Sequence, residues 1–185
     1  MSSVSESERF VALTLPHLPA MLRAATAMLG PQDAEDAAQE AIARAWKAWS
    51  TFRDEQALRS WLLRITVNVC REWCRGHYGQ SLRQTTSLPE RAVDLPTALA
   101  QPPGSSDHAG ALDLRQAVNE LPADLRLLVV LRYYGGLDSS EVGAVLGLPA
   151  ATVRTRLRRA LKMLRADLDS SSGNAVMIRS QSEGR

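Results

Sequence analysis

Between Asp138 and Lys162 the chain carries two helical patterns that meet at a glycine, and the second is loaded with arginine. Few folds accommodate such a pair, because a helix-turn-helix needs a small helical domain around it. Asp138 can cap the first helix while Glu141, three residues on, reaches back to the Asp138 amide. Val142, Val145 and Leu146 form a short apolar stripe. Gly147 falls where the chain must turn through the left-handed conformation that glycine adopts cheaply. Leu148 fills the angle between the helices, and Pro149 is compatible with the turn. From Ala150 onward Val153, Leu157, Ala160 and Leu164 recur at helical spacing, which predicts one buried side.

The other side is basic. Arg154, Arg156, Arg158, Arg159, Lys162 and Arg165 have no acid among them, so the helix is not laced by its own ion pairs. A solvated surface helix is the plain alternative. The cluster sits, however, on the second helix of a helix-turn-helix, where side chains that enter the major groove of DNA belong.

The chain has 185 residues, enough for one or two domains with buried cores. Its net charge of +2 hides an asymmetry, because residues 1–80 carry nine basic and nine acidic side chains and residues 111–168 carry nine and six. No apolar run approaches the roughly 20 residues that cross a bilayer, and the N-terminus lacks the layout of a secretory signal. These features predict a cytoplasmic protein without membrane insertion.

Apolar periodicity is helical throughout, with none of the alternation a strand requires. We therefore expect an all-α chain: a helical block over 5–80, a Pro/Ser/Thr-rich flexible linker over 81–110, a helix-turn-helix block over 111–168, and a polar, disordered tail over 169–185. In the first block Phe10, Leu15, Leu18, Leu22 and Leu29 mark an apolar face that Pro16 and Pro19 interrupt. Asp33 is expected to cap a helix over 34–49, with Ile42, Ala45, Trp46 and Trp49 inward and Asp36, Gln39, Glu40 and Arg44 outward. A further helix over 58–76 should bury Leu62, Ile65, Val69 and Trp73.

Opposite that face, Arg64, Asn68, Arg71 and Arg75 align in a stripe of arginines for phosphates with one asparagine suited to a base edge. Trp61 stands at its start, either packed in the core or available to stack an unpaired base. Cys70, Cys74 and His77 give Cys-x3-Cys-x2-His, which lacks the fourth ligand of a structural zinc site and reads as reduced packing cysteines. No phosphate-binding glycine loop or catalytic triad occurs, and no cofactor or enzymatic activity is expected.

The segments Asp33 to Trp46, Thr51-Phe52-Arg53 and Trp61 to Asn68 resemble the promoter-melting domain of extracytoplasmic-function (ECF) sigma factors. Leu121 to Arg126, with the helix-turn-helix and Thr152 to Arg156, is similar to that family's second DNA-binding domain. The resemblance implies a dissociable initiation subunit of bacterial RNA polymerase. It places Asp36, Gln39, Glu40 and Arg44 on the clamp helices of the largest polymerase subunit, and the second domain near the polymerase flap. It places a flipped base of the minus-ten element in the loop from Thr51 to Gln56. Phe52, Arg53, Asp54, Trp61, Arg64, Asn68, Arg71 and Arg75 would then form the minus-ten surface. Thr152, Arg154, Thr155, Arg156, Arg158, Arg159 and Lys162 would form the minus-thirty-five surface. An anti-sigma factor is a further partner that the resemblance implies.

Two departures stand out. Gly143 occupies a position where the family commonly has alanine, an expected cost of about 1 kcal/mol in helix propensity. The loop reads Arg53-Asp54-Glu55, more acidic than the family pattern, which leaves the selected base open. The competing reading is a stand-alone helix-turn-helix repressor or activator, which would bind a palindromic duplex without polymerase. A third reading is an interaction module that engages polymerase through the first block alone.

Overall fold

A computed structural model describes the backbone of residues 5–77 and 108–182, and the side chains of 5–76 and 114–169. The stretch 78–107, which holds most of the expected linker, lies outside the described residues, as do 183–185. Every regular element among the described residues is helical, as the periodicity predicts.

Helix α1 (Glu6–Thr14) starts from a reciprocal cap, in which the Glu8 amide donates to Ser5 Oγ at 3.2 Å and the Ser5 amide to Glu8 Oε2 at 2.8 Å. Pro16 and Pro19 then act as expected: a single 3₁₀ turn over Leu15–His17 separates α1 from α2 (Leu18–Leu29). The break turns two of the expected core residues outward, and Leu15 is 61% and Leu18 37% exposed. Phe10 stays buried.

Helix α3 (Pro31–Ala48) begins two residues before the cap expected at Asp33. Gly30, at φ 99° and ψ 168°, reverses the chain, and Pro31 enters with its φ already helical, so Asp33 sits in the first turn instead. The buried face of α3 is a stripe of Ala34, Ala37, Ala38, Ala41 and Ala45. Such small side chains let α2 close against it through Met21, Ala24, Ala25 and Met28. Trp46, expected inside, lies 43% exposed because this alanine stripe takes the inner face.

Helix α4 (Leu58–His77) is buried on more than one side, with Leu62, Leu63, Thr66, Val67, Val69, Cys70 and Cys74 all inside. Its extra buried side faces the second half of the chain. That half comprises α5 (His108–Glu120), α6 (Ala123–Val129) running into a π turn (Val130–Tyr134), α7 (Ser139–Leu146) and α8 (Ala150–Ser182). α4 packs on α7, and α2 packs on α6 and the π turn, so the two blocks share one apolar core in this structure.

α8 runs past the expected end at Leu168, replacing the irregular tail with helix as far as Ser182. No proline occurs after Pro149, and the single glycine in this stretch, Gly173, is a weak breaker, so no strong stop signal ends the helix.

Candidate nucleic-acid interface

The helix-turn-helix forms as its residues dictate. Asp138 Oδ1 accepts from the amides of Ser140 at 2.7 Å and Glu141 at 2.8 Å, and the Asp138 amide donates to Glu141 Oε2 at 2.7 Å. Those backbone donors hold the Asp138 carboxyl below its usual range. Gly147 closes α7 in the left-handed region at φ 75°, ψ 35°. Val153, Leu157, Ala160 and Leu164 are buried beneath α8.

On the outer side of α8, Arg154, Arg158, Arg159 and Lys162 are exposed, and among the described residues no carboxylate pairs with them. Arg156 differs, because its Nη1 lies 3.7 Å from Asp124 Oδ2 of α6. Thr155 turns its hydroxyl onto the Ala151 carbonyl at 3.1 Å, and Thr152 is half-buried. Nothing in the sequence spacing links Asp124 of α6 to Arg156 of α8.

The second basic surface lies on α4. Arg64, Asn68 and Arg75 are exposed along one face, and among the described residues no acid pairs with either arginine. Arg71 shares the register but is half-buried, its Nη2 donating to the Leu146 carbonyl of α7 at 3.0 Å. Burial, and then neighbouring Arg75, work against its charge. Trp61, left between core and surface by its sequence, does both: half-buried, it stacks on Phe52 with centroids 4.4 Å apart and planes 26° apart. Phe52 stacks in turn on Trp49 at 5.7 Å, and Trp49 meets Phe10 edge-on at 5.1 Å. A ladder of rings thus runs from the core to the basic stripe, each step worth about 0.5–1.5 kcal/mol beyond its buried area.

The loop between α3 and α4 is shaped by the residues expected to read a base. Asp54 Oδ1 accepts from the amides of Gln56 at 3.0 Å and Ala57 at 3.3 Å, capping the 3₁₀ turn over Glu55–Ala57. Arg53 Nη1 donates to the Ser50 carbonyl at 2.6 Å, Thr51 Oγ1 to the Ala48 carbonyl at 2.8 Å, and Arg9 pairs with Glu55. The acidic character of the loop is therefore structural in part: Asp54 holds the turn and Glu55 ties it to α1.

The acidic face of α3 divides. Asp36 and Gln39 are exposed. Glu40 is committed to α4, accepting from the Trp73 indole at 2.8 Å and from Arg44 Nε at 3.0 Å, while Arg44 Nη1 reaches Glu72 at 2.7 Å. The indole bond first, and then Arg44, hold the Glu40 carboxyl below its usual range.

Cys70 and Cys74 are buried thiols, and burial foremost, with Cys74 next, pushes Cys70 up to about 12. A thiol so protonated is a poor nucleophile and metal ligand. The His77 side chain lies outside the described residues, and no cluster of metal-ligating residues occurs among those described. Nor is any described helix long and apolar enough to cross a membrane.

The chain is similar to known proteins over both blocks. Residues 13–78 match the family described as sigma-70 region 2, and residues 111–164 match sigma-70 region 4. The chain is 32% identical to the RNA polymerase sigma-E factor of Streptomyces coelicolor over 169 residues, 91% of this chain and 89% of that one. It is 32% identical over 136 residues to the ECF RNA polymerase sigma-E factor of Escherichia coli, covering 69% and 70% of the two chains. Among solved structures, the sigma factor RpoE of Bartonella quintana, in complex with the anti-sigma factor NepR, matches with a TM-score of 0.64 at 25% identity. That match covers 88% of this chain and 98% of that one.

Proposed function

The chain belongs to the ECF sigma factors of bacterial RNA polymerase, and from that membership we propose how its surfaces divide the work of starting transcription. As a sigma factor it binds core RNA polymerase and directs initiation at particular promoters. We assign polymerase binding and the minus-ten element to residues 5–80, and the minus-thirty-five element to 111–168.

One observation carries this division: exposed cations stand in separate blocks, Arg64 and Arg75 on α4 and Arg154, Arg158, Arg159 and Lys162 on α8, and among the described residues no acid pairs with them. Arg64, Arg71 and Arg75 suit phosphates and Asn68 suits a base edge, while the Phe52–Trp61 stack offers a platform beside them for an unstacked base. Arg53 and Asp54 shape the loop that carries Phe52. On α8, Arg154, Arg158, Arg159 and Lys162 face the duplex, with Arg156, Thr152 and Thr155 at the margin. Asp36 and Gln39 present the polymerase-docking face, and Glu40 and Arg44 brace it from within.

Promoter melting needs no chemical step from such a chain. Unstacking costs a few kcal/mol per base, which a preformed pocket and an aromatic platform offset. Tethering two DNA modules on polymerase raises effective concentration without new contacts. The protein works in the cytoplasm beside polymerase, and by likeness to RpoE we assign it an anti-sigma partner.

Run-off transcription on a promoter library, with core polymerase and this protein together and apart, tests the assignment. Transcripts that require both establish it and reveal both elements. Specific duplex binding by the protein alone, without transcript, would instead favour the repressor reading.

A further inference from the structure

Helix α1 is a slight element. It has 9 residues, buries only Phe10 and Thr14, and turns the Thr14 hydroxyl back onto its own Phe10 carbonyl at 2.8 Å. A helix this short is marginal in water by itself, so its contacts with the rest of the chain decide where it sits. Two of those contacts lead to one place. Arg9 pairs with Glu55, 46 residues away in sequence, and Phe10 meets Trp46 and Trp49 edge-on, each with centroids 5.1 Å apart.

Trp49 and Glu55 both lie on the segment between α3 and α4. The segment's own bonds, from Thr51 to Ala48, from Arg53 to Ser50, and from the Gln56 and Ala57 amides to Asp54, join residues no more than three apart. They fix its local shape and leave its place on the bundle open. Placement comes from longer contacts: Phe52 stacks on Trp49, just past the end of α3, and on Trp61 of α4, while Arg9 of α1 holds Glu55. Phe10 and Trp49 are buried and Phe52 is half-buried, so a shift of Phe10 passes through packed rings to Phe52.

We propose that α1 buttresses the base-reading loop: Arg9, through Glu55, and Phe10, through Trp49, set the place of Phe52 and its neighbours and thereby which minus-ten base the loop accepts. The inference rests on the promoter-reading role given above and deepens it. Arg9 and Phe10 are positioning residues, and neither needs to touch DNA. An exposed ion pair adds little to stability, so the worth of Arg9 with Glu55 lies in geometry. It lies in charge as well, because a free Glu55 carboxylate would repel DNA approaching the loop and Arg9 neutralises it. A reader discriminates between bases only when its contact groups are held near one geometry, and contacts from a third helix supply that hold.

Hydrogen exchange and promoter selection with the full chain test the buttress. In the free protein the Gln56 and Ala57 amides should exchange about fivefold faster or more in Arg9→Glu, which opposes two acids, and stay near the wild-type rate in Arg9→Lys, which keeps the cation. Glu55→Arg added to Arg9→Glu should restore the slow rate. Phe10→Leu, which keeps an apolar side chain and removes the ring, should act as Arg9→Glu does. Circular dichroism of each variant verifies the helices. With core polymerase, run-off transcription on a library randomised in both promoter elements should show the preference at one minus-ten base fall about fivefold or more in Arg9→Glu and return in Arg9→Lys. The minus-thirty-five preference should not move. A merely structural role would lower all transcripts alike and leave the base preference intact; that result, or exchange unmoved in both Arg9→Glu and Phe10→Leu, would overturn the buttress. Faster exchange in Arg9→Glu with no minus-ten preference in the wild type would count against the promoter reading and leave the buttressed loop standing.

Discussion

The Trp73 indole donates to Glu40 Oε2 at 2.8 Å, joining α3 to α4 across the first block. Arg44 holds the same carboxylate and Glu72 as well, so the acidic face of α3 contains one brace beside its exposed acids.

Asp36 and Glu40, one turn apart, should therefore behave differently. Glu40→Ala removes the acceptor of the indole bond and leaves Arg44 with Glu72 alone, and should cost about 1 kcal/mol of stability, the lower part of the range for charged hydrogen bonds because the pair is partly solvated. Asp36→Arg should leave stability within about 0.5 kcal/mol and lower polymerase affinity tenfold or more. Urea unfolding paired with polymerase co-sedimentation separates them, and equal stability losses would show the brace to be idle. The Glu40 carboxyl is held below the ordinary glutamate value of 4.5, so its contribution is complete above that pH and is lost as pH falls through the lowered value.

Asn68 is exposed on α4 between Arg64 and Arg75, with nothing structural to hold. Asn68→Ala should leave folding and polymerase binding unchanged and lower run-off transcription by about 1–3 kcal/mol of discrimination at one minus-ten base. A parallel loss of polymerase affinity would move Asn68 to the docking face.

Arg154 is exposed on α8, whereas Arg156 leans toward Asp124 at 3.7 Å. Arg154→Ala should relax selection at one position of the minus-thirty-five element by about 1–3 kcal/mol. Selection from a randomised upstream element measures this directly. Uniform weakening across all sequences would make Arg154 a phosphate contact.

Local signals carried much of this structure. Pro16, Pro19, Asp138 and Gly147 act within a few residues of themselves, and each does in the structure what its chemistry foretells. Trp46, Leu15 and Arg71 do not, because their surroundings are set by elements distant in sequence: the alanine stripe that takes the inner face of α3, the turn of the chain at Pro16, and α7 lying on α4. The docking of the two halves left no trace in periodicity, since α4 reads as a helix with one inward face and gains another only when α7 arrives. Glu40 and Arg44 read only as outward residues of α3, and the Trp73 bond that ties Glu40 to α4 gave no signal in the sequence.

His17 ends the turn between α1 and α2, where burial, and then the charge of Arg59, lower its pKa below the ordinary histidine value of 6.5. A base whose folded pKa is lowered favours the neutral form, so its contribution is complete above 6.5 and is lost as pH falls through the lowered value. The urea midpoint should therefore drop between about pH 7.5 and 5.5 in the wild type, and His17→Gln should flatten that drop. An undiminished drop in the variant would assign the acid sensitivity to another group.

Gly143 sits inside α7, where helix propensity alone says that alanine would stabilise by about 1 kcal/mol. The structure reverses that expectation. The turn folds back so that the amides of Gly147 and Leu148 donate to the Gly143 carbonyl at 2.8 and 2.9 Å, and a Cβ on Gly143 would lie 2.5 Å from the Leu148 carbonyl oxygen. That oxygen is backbone held by the junction of α7 and α8, so it can retreat only if the angle between the two helices opens. Gly143→Ala should accordingly lower stability by about 1–2 kcal/mol despite its better propensity, and weaken minus-thirty-five selection as α8 tilts away from its seat. Thermal unfolding and upstream-element selection read the two effects independently. A raised melting temperature with selection intact would mean that the turn yields freely and that propensity governs after all.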